Sequence, residues 1–399
     1  MRLFFYLQDR KRMNLILFYI SFAIGSLAGS SFLYSLVIFS QTLSAMKGFS
    51  GLVFFFLFLP FPIIFLYTGY LLDRYSKKWI LLSFQSIHTV VSFLIVLFLE
   101  DLILHPNYLL ILAFLNGIGL TTVLPGRMSI LRDIAHTHRV VFHTILGNLL
   151  TIFCFGMSPL LVGAIKESGS FKNLFFTLGC MHLVSVSSAL FLKVDVVKSE
   201  IKKWNYSEVL HFLREDRVSR QVLYVSILSM LALGPIQVLL PKYVKETLAL
   251  GELARGTVLV AFGPGLFIGG VLTIIFHHLE NKGKFLLGFL FLSSILFLGI
   301  VPFFLASVTS IFLFLFGVSG GVISSLMPAL LQKRSDDQIR GRLLSLYTVC
   351  FQFTPAVSGL GSAFLGDLIG IPNAFLSLGI FFAFLSFFSY FLYSELRES

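Results

Sequence analysis

The chain has 399 residues, of which 57% are hydrophobic and 12% are charged, and its mean hydropathy is +0.91. A water-soluble chain of this length cannot hide so much apolar surface in one core, so the composition excludes a soluble enzyme or binding domain. The formal net charge of +11 would suggest nucleic acid as the partner of a soluble protein. In a membrane protein it follows from topology and anionic head groups, so we expect membrane lipids and no nucleic acid as partners.

The apolar residues fall into twelve runs close to the ~20 residues that a ~30 Å hydrocarbon layer requires. Strand-like alternation is absent and the runs far exceed ~10 residues, which favours helices over an outer-membrane barrel. We therefore predict an all-α membrane protein with twelve transmembrane helices. The predicted spans cover about 14–39, 50–72, 79–99, 106–131, 140–165, 172–192, 220–241, 256–279, 284–304, 308–331, 343–366 and 373–393.

The distribution of Lys and Arg predicts the orientation. With the N-terminus inside, 24 of the 30 basic residues lie on the cytoplasmic side and six outside, which places both termini in the cytoplasm. In this count Arg127 belongs to the cytoplasmic end of the fourth span and Arg255 to an outside loop. None of the charged residues has to lie at the middle of a span.

The longest polar stretch divides the chain into a six-helix bundle at 1–192, a cytoplasmic linker at 193–219 and a second bundle at 220–399. Within the linker, Tyr206, Val209, Leu210 and Leu213 share one helical face, which predicts an interfacial helix on the lipid surface or, alternatively, a docking site for a cytoplasmic protein. The two halves match as a repeat at an offset of 203 residues. This offset pairs Pro125 with Pro328, Asp133 with Asp336 and Arg139 with Arg342.

Catalytic and metal-binding patterns are not found in the sequence. Cys154, Cys180 and Cys350 lie within spans without metal-ligand spacing and are interpreted as packing residues. A nucleophile elbow, an HExxH motif, a Walker sequence and paired intramembrane carboxylates are absent, so we expect no enzyme, no cofactor and no metal. A channel is disfavoured because no filter-like re-entrant loop or charged ring is present.

The strongest motif is GYLLDRYSKKWILL, residues 69–82, between the second and third spans. It resembles the signature G-x-L-x-D-R-x-G-R-[RK] of the major facilitator superfamily, with Ser76 at the second glycine and Lys77 at the following position. The resemblance implies the major facilitator fold, with two six-helix pseudo-repeats. In that family the acidic residue bonds to the cytoplasmic start of the eleventh helix and helps to hold the outward-facing state. The implied conformational gate comprises Gly69, Asp73, Arg74, Lys78, Arg340, Gly341 and Arg342.

Asp73 suits that role because a carboxylate beside a helix N-terminus gains ~0.3–1 kcal/mol from the dipole. The alternative is a positively charged turn that only anchors the topology. Residues 233–270 and 328–349 are similar to the branch of the family that includes enterobactin exporters, macrolide efflux pumps and lysophospholipid transporters. The antiporter motif of the fifth helix survives only as GMSPLLVG, residues 156–163, which disfavours drug/proton antiport.

The resemblance implies a secondary active transporter that moves a small organic or amphipathic molecule by alternating access. Efflux of a drug or siderophore is the first expectation, and a lysophospholipid flippase or an importer of a small metabolite or siderophore are the alternatives. We expect a monomer in a bacterial inner membrane, with no assigned coupling ion. The prolines of Gly234-Pro235 and Gly263-Pro264-Gly265 predict kinks in the seventh and eighth helices.

Substrate contacts should come from polar or aromatic groups that face the cavity between the halves. The candidates are Tyr34, Asn116, Asn148, Tyr224, Gln237 and Gln352, and each could instead bond a neighbouring helix. His88 and His182 are the titratable residues near the centre of a span. They lie on the third and sixth helices, which are peripheral in this family, so packing is expected before proton relay.

Overall fold

The computed structural model describes residues 2–43, 46–135, 139–194, 207–275 and 281–399, and gives the backbone only for 2–11, 141, 337 and 338. Every regular element within these ranges is a helix. The long helices in chain order are α1 (Arg2–Ser40), α2 (Phe49–Arg74), α3 (Lys77–Leu97), α4 (Tyr108–Ile134), α5 (Val140–Ser168), α6 (Phe171–Leu190), α7 (Arg217–Glu246), α8 (Glu252–Ile275), α9 (Lys282–Leu298), α10 (Ala306–Arg334), α11 (Asp337–Ile369) and α12 (Ile371–Leu392).

The predicted all-α membrane fold is confirmed. Eleven of the helices are long and apolar enough to cross a membrane among the described residues. The remaining predicted span, 284–304, corresponds to α9, which has 17 residues. At 1.5 Å per residue α9 is about 25 Å long, so it lies at the short end of the range for a membrane-spanning helix.

The two halves of the chain repeat the same helix pattern. When α1 is counted from Arg12, where its candidate membrane span begins, moving the bounds of α1–α6 by 203 residues reproduces the bounds of α7–α12 to within six residues. Pro125 in α4 and Pro328 in α10 therefore occupy equivalent positions, as the sequence repeat predicts. The repeat rests on three matched residue pairs in the sequence, and the structure supports it with six pairs of helices.

Helices α7 and α8 are each interrupted about one turn before a proline, because the proline has no backbone N–H to donate to that turn. A proline cannot bond the carbonyl four residues earlier, and its ring crowds that carbonyl. In α7 the helix is interrupted at Ala232, next to Leu231, which lies four residues before Pro235. In α8 it is interrupted at 260–261, four residues before Pro264. The predicted kinks are confirmed, and α2 contains a π-helical segment, Phe61–Phe65, directly after Pro60.

Helices α8 and α10 pack through glycines spaced four residues apart. Gly265 and Gly269 of α8 face Gly317 and Gly321 of α10. A Cβ placed on Gly265 would lie 3.0 Å from the Cα of Gly317, and one on Gly269 would lie 2.9 Å from the Cα of Gly321. Small residues at this spacing let two helix backbones approach closely in lipid, where dispersion rather than the hydrophobic effect drives association.

The linker forms a short helix, Ser207–Glu215, beside the start of the second half. Val209 and Leu213 are buried against the protein, whereas Leu210 is 55% exposed. The predicted contact of this helix with the lipid surface stays a prediction. Tyr206 lies outside the described residues. The Glu208 carboxylate accepts a 2.6 Å hydrogen bond from Arg342 at the start of α11, which ties the linker to the second half.

The glycine contact yields a prediction about stability. Replacing Gly269 by Leu should lower the free energy of unfolding by about 1–3 kcal/mol, because the new side chain meets the backbone of Val318 and Gly321. Gly361→Leu is the matched control, since nothing lies within 4 Å of a Cβ at that helical position. Thermal unfolding in detergent measures both variants, and equal melting temperatures would contradict the packing.

Candidate functional site

A central cavity lies between the two halves of the protein. It is lined by α1, α5, α7, α8 and α10, so both halves contribute. The lining residues are Ser30, Leu33, Tyr34, Phe155, Gly156, Ser158, Pro159, Ile236, Gln237, Pro241, Leu259, Phe262 and Leu313. Tyr34 and Gln237 are two of the six predicted substrate contacts. Most of the wall is apolar, and none of these lining residues carries a charge.

One end of this cavity, called the outer end here after the orientation predicted from the sequence, is closed by contacts between the halves. Asp367 of α11 accepts a 2.8 Å hydrogen bond from the backbone N–H of Gly48, which precedes α2, and forms a 2.7 Å ion pair with Lys242 of α7. The Gln41 side chain donates a 2.7 Å hydrogen bond to the Val238 carbonyl. Three segments of the outer surface are thereby joined across the boundary.

A second outer contact joins α5 to α8. Glu167 accepts a 3.0 Å hydrogen bond from the backbone N–H of Leu253. Deeper in the protein, Gly256 lies against the backbone of Pro159, and Gly156 lies against Gly263 with no room for a Cβ on either residue. The GMSPLLVG segment therefore supplies small residues that let α5 and α8 meet backbone to backbone.

Arg255 lies in this outer closure and not in a loop, because α8 begins at Glu252, one turn earlier than predicted. Its side chain is only 3% exposed and bonds Glu252. The guanidinium lies close enough to the Tyr34 hydroxyl to interact with it electrostatically. A cation of the second half thus reaches the cavity-lining tyrosine of the first half.

The opposite ends of the halves are called the cytoplasmic ends here, after the orientation predicted from the sequence, and their described ion pairs do not join the two halves. Lys77 forms a 2.8 Å ion pair with Asp133, both in the first half. Arg334 of α10 forms a 2.7 Å ion pair with Asp216, the residue directly before α7. Burial raises the pKa of Asp216, but hydrogen bonds from Arg334 and Ser219 outweigh it, so the pKa of this carboxyl is held below its usual value.

The predicted gate residues lie at these ends, and none of the contacts described for them joins the first half to the second. Asp73 is exposed, and Arg74 bonds the Tyr70 hydroxyl of its own helix. Lys78 lies over the Trp79 ring at 5.6 Å, and Gly69 is exposed. On the other side, Arg340 donates a 3.0 Å hydrogen bond to the Ser335 carbonyl, Arg342 bonds Glu208, and Gly341 is exposed.

The other predicted substrate residues occupy varied positions. Asn148 is exposed and lies two turns before Gly156 on the same stripe of α5. Asn116 is buried beside His88 inside the first half. Tyr224 stacks on Tyr393, with ring centroids 6.3 Å apart, near the end of the chain. Gln352 is half-buried in α11, next to Phe353, whose ring lies 5.6 Å from Phe55 of α2.

His88 and His182 are both buried and stack on each other, with ring centroids 5.2 Å apart. Both Nδ1 atoms and the Nε2 atom of His182 have no hydrogen-bond partner among the described residues. The two residues lie between α3 and α6 in the first half and do not line the cavity. Their placement agrees with packing as the first interpretation.

Arg127 is the residue whose position sequence reasoning missed. It was counted as a cytoplasmic residue, yet its side chain lies inside the first half and the residue is only 3% exposed. Its Nη1 atom donates a 2.8 Å hydrogen bond to Ser26, which lies at the middle of the Arg12–Ser40 span, and its guanidinium lies 5.2 Å from the centre of the Phe22 ring. The signal in the sequence was its position, four residues before the predicted end of the fourth span.

These features define a class: a polytopic membrane transporter with two six-helix halves around a central cavity that is closed at the outer end. The sequence model of the Major Facilitator Superfamily matches residues 15–358. The chain belongs to this family. No curated protein sequence matches the chain significantly.

Solved structures with the same fold are transporters. A crystal structure of the nucleoside transporter NupG has a TM-score of 0.77 at 14% identity and covers 96% of this chain and 99% of its own. A bacterial homologue of the human lysosomal transporter Spinster, in an inward-facing and unoccupied conformation, has a TM-score of 0.74 at 12% identity and covers 97% of each chain. A D-xylose-proton symporter has a TM-score of 0.70 at 13% identity, with 99% of each chain covered. These TM-scores establish the fold, and the sequence family points to a transporter that is not an enzyme.

The outer closure yields a prediction about accessibility. Asp367→Asn should weaken the bonds to Gly48 and Lys242 and raise the outward-open fraction roughly tenfold, about 1.4 kcal/mol. The measurement is the labelling rate of a cysteine at Ser30 by a membrane-impermeant thiol reagent added outside, with the native cysteines removed. Asp101→Asn, an exposed carboxylate on the same side, is the control. If both variants label at the parental rate, Asp367 does not hold the outer end closed.

Proposed function

We propose that this protein is a secondary active transporter that moves a small organic or amphipathic molecule by alternating access, with efflux as its direction. The observation that supports it most is the distribution of contacts between the halves. They lie at the outer ends and the middle of α2, α5, α7, α8 and α11, while the charged residues of the cytoplasmic ends bond within their own half. Such a conformation is open to the cytoplasm and closed outside.

The moving parts in this proposal are the bundles at 1–192 and 220–399, with 193–219 as the cytoplasmic linker and both termini inside. Only one of the two ends can be closed at a time if each bundle moves as a unit. Closure of the cytoplasmic end would bring Asp73 toward the start of α11, where Arg342 now bonds Glu208. The protein would work as a monomer in a bacterial inner membrane.

The cavity supports a substrate with a substantial apolar part. Phe155 and Phe262 lie on opposite sides of the boundary, with ring centroids 6.4 Å apart. Tyr34, Gln237 and Asn148 are the candidates from the sequence that lie on or near the path between the halves. A lipid flippase is the second candidate function, favoured by the apolar wall, and an importer of a small metabolite is the third.

Flux in protein-only liposomes tests the proposal. The purified protein should accelerate movement of at least one class of molecule, either a soluble organic compound or a fluorescent lysophospholipid, over protein-free vesicles. Transport of the lysophospholipid alone would select the flippase. Equal leakage in vesicles with and without protein, for every class of compound, would contradict a transporter.

The gate yields a further prediction. Asp73→Asn should keep expression and folding and shift the equilibrium further toward the inward-facing state, because the cytoplasmic closure loses its carboxylate. Faster labelling of a cavity cysteine from the cytoplasmic side is the measurement. Asp133→Asn, which loses a bond inside one half only, is the control. Unchanged labelling together with unchanged transport in Asp73→Asn would leave the loop as a topological anchor.

Coupling is the subject of another prediction. No described Asp or Glu lies near the centre of the first half, where the imidazoles are those of His88 and His182, and burial disfavours the charged form of an imidazole. We therefore expect a pH gradient to drive transport only weakly. The test is flux in proteoliposomes with an imposed pH step, for the wild type and for His88→Ala combined with His182→Ala. Strong acceleration in the wild type would refute weak coupling, and its loss in the double variant would assign the proton site to these residues.

A further inference from the structure

Arg127 is a buried cation without a counter-ion. None of the ion pairs among the described residues includes it. Its polar surroundings are uncharged groups, among them Ser26, Cys154 and the stacked pair His88 and His182. Removing a charge from water is costly unless an opposite charge and hydrogen bonds compensate it. The fold supplies one hydrogen bond and one aromatic face, which leaves the charge unneutralised.

The part of Arg127 that lacks a partner has a specific shape. Nη1 is bonded to Ser26, while Nε and Nη2 have no hydrogen-bond partner among the described residues. In a planar guanidinium the Nε–H and one Nη2–H point to the same side and are parallel. That edge matches two oxygens of a carboxylate or a phosphate, and paired hydrogen bonds of this kind are the strong ones.

Gly25 provides the space that Nη2 of Arg127 occupies. A Cβ at Gly25 would collide with Nη2 of Arg127 and with the Ser185 hydroxyl. The position therefore has to lack a side chain for the guanidinium to lie where it does. The neighbouring hydroxyls form a hydrogen-bonded link between α1 and α6, in which the Ser185 hydroxyl donates to the Ser21 carbonyl at 2.6 Å.

The same arginine is connected to the central cavity through α1. Ser26, Ser30 and Tyr34 follow one another at intervals of four residues, so they lie on one stripe of this helix. Ser30 and Tyr34 line the cavity, and Ser26 bonds Arg127. Rotation of the long arginine side chain about its own bonds would carry the guanidinium from Ser26 toward the cavity.

The second half of the protein shows that the fold does not require this cation. At the offset of 203 residues, Leu330 stands in the place of Arg127, two residues after Pro328, and it is buried. His88 and His182 correspond to Phe291 and Leu385 in the same way. The two halves have the same helices, yet at these three positions the first half has an arginine and two histidines and the second has apolar side chains. The architecture of a half therefore forms without a cation at this position.

From these observations we propose that Arg127 binds the anionic group, a phosphate or a carboxylate, of the molecule that the protein transports. The proposal rests on the transport function proposed above and names the chemical class of its substrate. In the ligand-free conformation Ser26 and Phe22 hold the guanidinium. An arriving oxyanion takes the Nε and Nη2 edge, and the apolar wall of the cavity contacts the rest of the molecule. The anion can come from a lipid head group or from a soluble metabolite.

Four probes distinguish the effect of the phosphate charge on binding from the effect of the acyl chain. They are lysophosphatidylglycerol, its neutral counterpart monoacylglycerol, glycerol 3-phosphate and glycerol. Each is added to purified protein in nanodiscs that are made of zwitterionic lipid and contain no detergent. The measurement is the ligand-induced shift of the melting temperature, converted to an affinity. We expect the phosphate-bearing member of at least one pair to bind about 10- to 100-fold more tightly than its neutral partner. Preference within the acylated pair identifies a lipid head group, and preference within the soluble pair identifies a metabolite.

The variants Arg127→Gln, Arg127→Lys and Arg132→Gln assign that preference to one residue. Arg127→Gln should lose the preference for phosphate, and Arg127→Lys should keep part of it, because the charge remains and the paired edge is lost. Arg132→Gln, at an exposed position one and a half turns further along α4, should bind as the wild type does. The melting temperature of ligand-free Arg127→Gln should equal or exceed that of the wild type, because an unneutralised buried charge has been removed.

Two outcomes overturn the proposal. The first is equal binding of charged and neutral probes by the wild type, a result that does not depend on any variant folding. The second is a ligand-free Arg127→Gln protein that is less stable than the wild type and retains the phosphate preference, which would make Arg127 structural. Flux keeps this separate from the transport function: a phosphate-bearing probe moved at equal rates by wild type and Arg127→Gln leaves the transporter intact and refutes the anion site.

Discussion

The contact between α5 and α8 at Gly156 and Gly263 is the constraint on which the present conformation depends. Two helices from different halves approach there until their backbones touch, which two glycines permit and any side chain would prevent. In a membrane, where lipid is as apolar as a leucine, close backbone packing is what holds helices together. Because this contact lies near the middle of both helices, it can serve as the point about which the halves rotate. Polar bonds at Asp367 and Glu167 then determine that the outer end is the closed one.

The outer and cytoplasmic ends of the transporter differ in which parts of the chain their polar contacts join. The outer end joins the halves through hydrogen bonds, from the Gly48 N–H to Asp367 and from the Leu253 N–H to Glu167. The Lys242–Asp367 ion pair, with both side chains about one-quarter exposed, links α7 to α11 within the second half. At the cytoplasmic end the ion pairs Lys77–Asp133 and Arg334–Asp216 strengthen each half by itself. Arg342 differs from these residues because its partner Glu208 belongs to the linker helix. If closure of the cytoplasmic end brings Asp73 to Arg342, the ion pair with Glu208 has to break, and the linker helix then takes part in the transport cycle.

Much of the fold could be predicted from the sequence, because lipid imposes simple requirements on length and polarity. The helix positions, the repeat at 203 residues and the interruptions four residues before Pro235 and Pro264 all follow from local rules. The position of Arg127 could not be predicted in this way, since a residue near the end of a span can extend inward or outward and packing with α1 decides which. Tyr224 shows the same limit, because its stacking on Tyr393 joins residues that are 169 positions apart. Helix ends matter as well: a shift of one turn at Glu252 moved Arg255 from a predicted loop into the buried closure.

The central claim is that closing the outer end opens the cytoplasmic end, and a cross-link tests it most directly. A Cβ on Gly48 would lie 3.2 Å from that of Phe364, so cysteines at these two positions should form a disulfide across the outer boundary. Spin labels at Tyr75 and Lys333, introduced after oxidation in a background without the native cysteines, report the separation of the cytoplasmic ends. The account predicts that the reduced protein samples both short and long separations, and that the disulfide removes the short ones. A distance distribution that is the same with and without the disulfide would contradict the coupling of the two ends.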